Sequence, residues 1–215
     1  MAAKKAEDSG VITVRTVLTG TTALLMHNER LADPDNEWTQ RIAAITGKGT
    51  KQTAVDRAEK ARLEFLGGLY TDGGKVVVPK ANILKCIAEG SIGVLRNYKS
   101  TIFRAVSNPD PAQLGVQLVF PGVHKPPEEL AGEPKYLDRS TVRNSGPTGG
   151  RVVRVRPRFD PWGLSVDWTL ITSVLDYDKF AKFVKAAGRI EGLGDKRIKG
   201  YGRFDAEVIK VGEAA

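Results

Sequence analysis

One segment constrains this chain more than any other: Gly192-Leu193-Gly194-Asp195-Lys196-Arg197-Ile198-Lys199-Gly200-Tyr201-Gly202-Arg203-Phe204. Two Gly-apolar-Gly clips bracket five residues, three of them basic, and a strand-like run over 204–211 follows at once. Glycine reaches backbone conformations closed to other residues and lets backbone approach a ligand closely. Successive amides in such turns form anion-binding concavities, and Lys196, Arg197 and Lys199 add positive charge. The segment therefore reads as a sharp, basic, amide-rich turn suited to phosphate. Order excludes a dinucleotide-binding loop. That motif follows a first strand and opens a helix, whereas this one follows a helix and opens a strand.

Charge points the same way. The 215 residues make one generous domain or two small ones and carry a net charge of +8. A polyanionic partner and plain solubility both account for such a balance. Its distribution favours the partner. Residues 135–158 hold seven basic side chains against the single acid Asp138, and 189–203 hold five against two. Clustering of this kind is the footprint of nucleic-acid binding. One cysteine and two histidines exclude an internal disulfide and argue against a structural zinc site, so no metal or cofactor is expected. No apolar run has the length of a membrane span, and residues 1–10 lack an apolar signal core and read as a short disordered tail. A cytoplasmic protein with no membrane partner is the expectation.

Along the chain, 11–19 alternates as a first strand with Ile12, Val14 and Leu18 on one face. Residues 28–52 are polar and contain the turn Asp33-Pro34-Asp35-Asn36, with a short helix expected over 38–45. A helix over 53–66 opens with Thr53 and Asp56 at capping-box spacing, carries an Asp56–Lys60 pair, and stops at Gly67-Gly68. A strand over 75–78 leads through Pro79 into a helix over 80–89, with Gly90 as its natural C-terminal residue. Residues 91–107 are helical or extended, and 114–120 reads as a strand. The stretch 141–150 has hairpin-tip composition. Residues 151–156 form a strand with one basic face, where Arg151, Arg154, Arg156 and Arg158 stand opposite Val152, Val153 and Val155. Residues 163–172 are a further strand, and a helix with Phe180, Phe183, Val184 and Ala187 on one stripe ends at Gly188. The outer parts fit a βαββαβ core.

The glycine spacing before a final strand resembles the C-terminal glycine-rich loop of the RAMP superfamily of CRISPR-associated proteins. The preceding Arg189-Ile190-Glu191 and the strand–Pro–helix joint Val78-Pro79-Lys80-Ala81-Asn82-Ile83-Leu84-Lys85 are also similar to that superfamily, although Lys80-Ala81-Asn82 stands where its RNA-backbone branch has Gly-Ser-Ser. Leu137-Asp138-Arg139-Ser140-Thr141, the Gly-rich tip and 151–159 resemble the thumb hairpin of that branch. The resemblance implies an α+β fold with a ferredoxin-like (RRM-like) βαββαβ core, an inserted β-hairpin thumb and a helical insertion. The implied layout is a single domain over 11–215 with insertions near 28–52 and 105–160. It also implies a subunit that repeats along CRISPR RNA beside other copies of itself and other effector-complex subunits. RNA against DNA stays open.

The candidate nucleic-acid ligands are Gly192, Gly194, Lys196, Arg197, Lys199, Gly200 and Gly202 of the loop, and Arg139, Arg143, Arg151, Arg154 and Arg156 of the hairpin. Asn82 and Lys85 join them at a helix start, where phosphate is favoured. Arginine's planar fork suits bidentate phosphate contact and stacking on bases. No catalytic residue is assigned. His27 and Asp33 are the candidates an RNA-cleaving relative would use, and the alternative readings are such a metal-independent nuclease or a viral or plasmid single-strand-binding relative. An acid in a turn ordinarily makes only an Asx-turn. Trp38, Trp162 and Trp168 read as core or loop anchors, and no strand carries an RRM-type aromatic signature.

Overall fold

The computed structural model describes residues 10–143 and 150–213. The tail expected at 1–10 (Gly10 apart) and the centre of the hairpin tip, 144–149, lie outside the described residues. Strand β1 (Val11–Gly20) is followed by β2 (Leu24–Leu25), helices α1 (Glu37–Thr46) and α2 (Ala54–Gly68), the short strands β3 (Thr71–Asp72) and β4 (Lys75–Pro79), and helix α3 (Lys80–Ile92). Then come α4 (Lys99–Ala105), β5 (Val106–Ser107), β6 (Gly115–Gln117) and a single turn, α5 (Pro127–Leu130). Strands β7 (Leu137–Arg143), β8 (Arg151–Phe159) and β9 (Gly163–Ile171), helix α6 (Tyr177–Ala186) and β10 (Phe204–Glu213) complete the chain. It is an α+β protein whose named strand pairings are all antiparallel.

Three sheets result, with strand orders β10-β1-β9-β5, β2-β8-β7 and β3-β4-β6. Strand side chains alternate between faces. In the four-stranded sheet, Val14, Leu18, Val166, Trp168 and Leu170 are buried in one core cluster with Ile83 and Ile87 of α3 and Phe180, Phe183 and Val184 of α6. The opposite face carries Arg15, Val17, Ser165, Asp167 and Glu207. There Arg15 Nε and Nη2 donate to both carboxylate oxygens of Asp167 at 2.7 and 2.8 Å. Among the described residues that face presents no aromatic ring, so it lacks the stacking platform of an RRM. Trp162 and Trp168 are buried, donating to Thr22 O at 2.8 Å and Thr16 Oγ1 at 3.1 Å.

Several local expectations shift. Thr53 and Asp56 do close a capping box, but Asp56 pairs with Lys48 at 2.6 Å while Lys60 reaches Glu64 at 3.9 Å. Residues 91–107 divide into the end of α3, helix α4 and β5, and within 114–120 only Gly115–Gln117 is a strand. Helix α3 passes through Gly90 and ends at Gly93. The reason is packing: a Cβ at Gly90 would lie 2.4 Å from Ala187 Cα. Likewise the chain does not stop turning at Gly188. It continues as a π-turn over Ala187–Glu191, and a Cβ on Gly188 would sit 2.0 Å from Phe204 O. Helix α2 packs against α1 and β8, where buried Glu64 accepts from Val155 N at 2.8 Å and Arg154 Nη1 at 2.9 Å.

Gly90→Ala separates two effects of opposite sign. Helix propensity alone would stabilise the variant by about 1 kcal/mol. Forcing a methyl against the Ala187 backbone costs about 1–3 kcal/mol. The expected net result is a lower urea midpoint; an unchanged or higher midpoint would show that the α3–turn contact yields easily.

Candidate nucleic-acid interface

After α6 the chain turns at Gly192 and crosses its own earlier part. Leu193 N donates to Gly202 O at 2.9 Å, Asp195 N to Leu25 O at 2.8 Å and Gly202 N to Ala23 O at 2.8 Å. Thr22 Oγ1 donates to Gly200 O at 2.9 Å and accepts from Arg203 N at 2.9 Å. The loop is thus stitched to residues 22–25. Gly194 and Gly202 take positive φ, 76° and 69°, and a Cβ would fall 2.1 Å from Leu25 O and 1.8 Å from Leu193 O respectively. The close approach these glycines permit is to the protein's own backbone. Most loop amides are already bonded, some in this stitching and the rest within the loop and the turn before it, so anion binding here falls mainly to side chains.

Two basic side chains, one from the loop and one from the hairpin, are committed to ion pairs within the protein. Lys196 Nζ pairs with Asp138 and Ser140 of β7 and is only 10% exposed. Arg156 Nε of β8 pairs with Asp195, and its side chain is 12% exposed. Each basic segment therefore lends an acid to the other: the hairpin's Asp138 holds the loop's lysine, and the loop's Asp195 holds the hairpin's arginine. Burial works against ionisation of Asp195. The Lys196 amide and the Arg156 guanidinium outweigh it and keep the carboxyl below its usual pKa. Asp138, Asp195 and Glu64 are the residues that the sequence reading left without a role. Of the three, Asp138 carried a signal, as the single acid among seven bases.

The hairpin has two distinct faces, because the β8 side chains alternate. Arg154, Arg156 and Arg158 share one face with Val152, while Arg151 lies on the other with Val153 and Val155. This corrects the single four-arginine face read from the sequence. Arg154 pairs with Glu64 and Arg158 with Asp160. On the second face Arg143 stands directly across from Arg151, and Arg139 across from Val155. These three arginines are exposed and have no ion pair among the described residues.

Next to the loop lies a cleft of about 200 Å³. Its lining includes Asn82 and Lys85 from the start of α3, Arg197 and the Gly192–Gly194 backbone from the loop, and His27 and Tyr70. Sequence positions 27, 82–85 and 192–197 are thus brought together. Lys85 is exposed and has no ion pair among the described residues, and Arg197 only approaches Glu191 at 4.0 Å. On the floor, the Cys86 thiol donates to Gly192 O at 3.1 Å, and burial pushes its pKa up to about 12, so it is a neutral wall. His27 has an exposed edge, yet its packing against the cleft removes water from the ring. That desolvation, with help from Arg156 and Arg154, lowers its pKa against the pull of Asp195. The imidazole is therefore neutral near pH 7. Lys199 and Ile198 lie at the exposed tip of the loop, outside the cleft. Asp33 sits in an exposed turn, where its Oδ1 accepts from Asp35 N at 2.9 Å, away from the cleft. Among the described residues, no three His, Cys, Asp or Glu side chains group to hold a metal, and no helix is long and apolar enough to cross a membrane.

No model of a known protein family matches the chain, and no curated protein matches it. Among solved structures it is similar to a chain in the cryo-EM structure of the Type III-B Cmr-beta bound to cognate target RNA. The two share 13% identity with a TM-score of 0.47, over 93% of this chain and 61% of that one. The chain thus spans about three fifths of that neighbour's length. A likeness of this size carries no argument about activity.

Asp195→Asn is expected to lower stability by about 2 kcal/mol at pH 7, between the value of an exposed pair and that of a fully buried one. Because the folded-state pKa of Asp195 is depressed, its contribution is fully present above the ordinary carboxylate range. It is lost as pH falls through the lowered value. Urea titrations across that range should show the gap between variant and parent closing in acid; a gap constant with pH would sink this account.

Proposed function

We propose that the chain binds single-stranded nucleic acid, RNA foremost, through the cleft between the glycine loop and the start of α3. The observation that carries this reading is the pattern of unpaired positive charge. Lys196, Arg154, Arg156 and Arg158 are held by acids, whereas Lys85 and Arg197 are left beside a cleft, and Arg143 faces Arg151 across the hairpin. Like charges directly opposite in a ladder destabilise it, which a bound polyanion reverses. Phosphates would be held by Lys85, Arg197 and Asn82. Arg139, Arg143 and Arg151 would contact a further stretch on the outer hairpin face, with Lys199 on the loop tip.

The finer reading follows from the strand order. With β1 central, β10 and β9 beside it, β5 beyond β9 and helices α3 and α6 on one face, we infer a ferredoxin-like βαββαβ core. On this reading α1, α2 and the β7–β8 hairpin are insertions. With the glycine-loop resemblance, this supports a RAMP-like backbone subunit that lines up with copies of itself and other effector subunits along CRISPR RNA.

A second reading, an RNA-cleaving enzyme, is favoured by one observation: a neutral His27 lies in the same cleft. It would take the proton from a ribose 2′-hydroxyl, whose oxygen attacks phosphorus as the 5′-oxygen leaves.

Fluorescence anisotropy with a labelled oligouridine tests the first reading. Affinity should fall steeply with salt, and Lys85→Ala and Arg197→Ala should each flatten the log–log slope by about 0.7. Lys196→Met should lower the unfolding midpoint and leave that slope nearly unchanged. Absence of binding at low salt would defeat the proposal. Cleavage in EDTA that leaves a 2′,3′-cyclic phosphate and disappears in His27→Ala would move the assignment to the second reading.

A further inference from the structure

One buried charge has no part in the interface described above. Lys80, the first residue of α3, is only 6% exposed. Its ammonium donates to Asn108 Oδ1 at 2.6 Å, an oxygen that also accepts from Asp110 N at 3.1 Å. Among the described residues it makes no ion pair. An ammonium carries three donors, and Asn108 is a neutral partner that meets one of them. Burying a charge without an opposite charge beside it is costly.

Lys80 lines a cavity of about 290 Å³ on the sheet face that carries Arg15 and Asp167. This cavity shares no lining residue with the cleft beside the glycine loop. Its two acids are already engaged. Both oxygens of Asp167 accept from Arg15, so Asp167 feels the charge of Lys80 without contacting it, and Asp110 Oδ1 accepts from Ala112 N at 3.1 Å. Two donors are free: the Gln113 amide and the Ser165 hydroxyl line the cavity, are exposed, and have no hydrogen-bond partner among the described residues. Pro109 and Val116 add apolar wall.

A concave site with apolar wall and a few convergent polar groups is the ordinary form of a small-ligand pocket. We propose that this cavity binds a small organic monocarboxylate as the counter-ion of Lys80. One carboxylate oxygen accepts from Lys80, the other from Ser165 or Gln113, and the short stem lies along Val116 and Pro109. Asp110 and Asp167 select against a phosphate dianion, because Lys80 balances a single charge and the second would meet their repulsion. The site stands apart from the nucleic-acid reading and does not depend on it.

The probe is acetate, exchanged for chloride at constant ionic strength, and the readout is the thermal unfolding midpoint. At ten times its dissociation constant acetate should raise the midpoint of the parent by about 4 °C. Lys80→Met keeps the apolar stem, and Asn108 Oδ1 keeps the Asp110 amide, so this variant should fold and show no acetate response. Ser165→Ile retains the buried charge and closes the cavity from an exposed strand position; it too should lose the response. Lys85→Ala, in the other cleft, should keep it. Any response to phosphate should be equal in Lys80→Met and the parent. No acetate response in the parent, or one that survives in Lys80→Met or Ser165→Ile, would overturn the proposal. So would a response that Lys85→Ala removes, which would place the anion in the nucleic-acid cleft.

Discussion

The reciprocal pairing of loop and hairpin is what the rest of the site depends on. Lys196 is held by Asp138, and Arg156 by Asp195, so two segments that would repel as like-charged blocks are instead locked face to face. Partial burial strengthens the pairs, because water screens them less than at an open surface. It also makes each pair an all-or-none commitment, since removing one member leaves its partner's charge stranded. The lock holds the loop against the hairpin on one side, and the loop so held forms the wall of the cleft that faces the start of α3 on the other.

The lock also sorts the cations. A basic segment holds charges that stabilise the fold and charges available to a ligand, and sequence alone gives them equal weight. In this chain the dividing line is the pleat. Asp138 and Arg156 face the loop, while Arg139, Arg143 and Arg151 face outward. The same sorting applies to glycine. At Gly194 and Gly202 the missing side chain makes room for Leu25 and Leu193 carbonyls, so the loop's shape comes from contact with its own chain.

Much of the architecture was legible from period and punctuation. The β1 alternation, the capping box at Thr53 and Asp56, the α6 stripe of Phe180, Phe183 and Val184, and the hairpin strands all have local causes. Gly90 was misread as a helix end, because a glycine that permits close packing looks the same in sequence as one that ends a helix. The cleft was legible in part: Asn82, Lys85, Gly192, Gly194 and Arg197 were named from separate motifs, and His27 from its chemistry alone. That they share one wall was not readable, because the tertiary fold brings them together. The acids Asp138, Asp195 and Glu64 were passed over for the same reason, since their partners come from distant parts of the chain and meet them only in the fold.

The crossing of the loop over residues 22–25 bears on how this protein is made. The Thr22 hydroxyl and the Gly200 carbonyl it meets are 178 residues apart, and β1 lies between two strands that both come late in the chain. Contacts of such separation carry a large loop-closure entropy before they return any energy, and they slow folding. The first strand therefore waits, with both edges unpaired, until β9 and β10 have emerged. During that interval it is the segment most open to mispairing with another chain. Arg15, midway along it, places a charge on an otherwise β-branched run, the device by which unpaired strands resist edge-to-edge association.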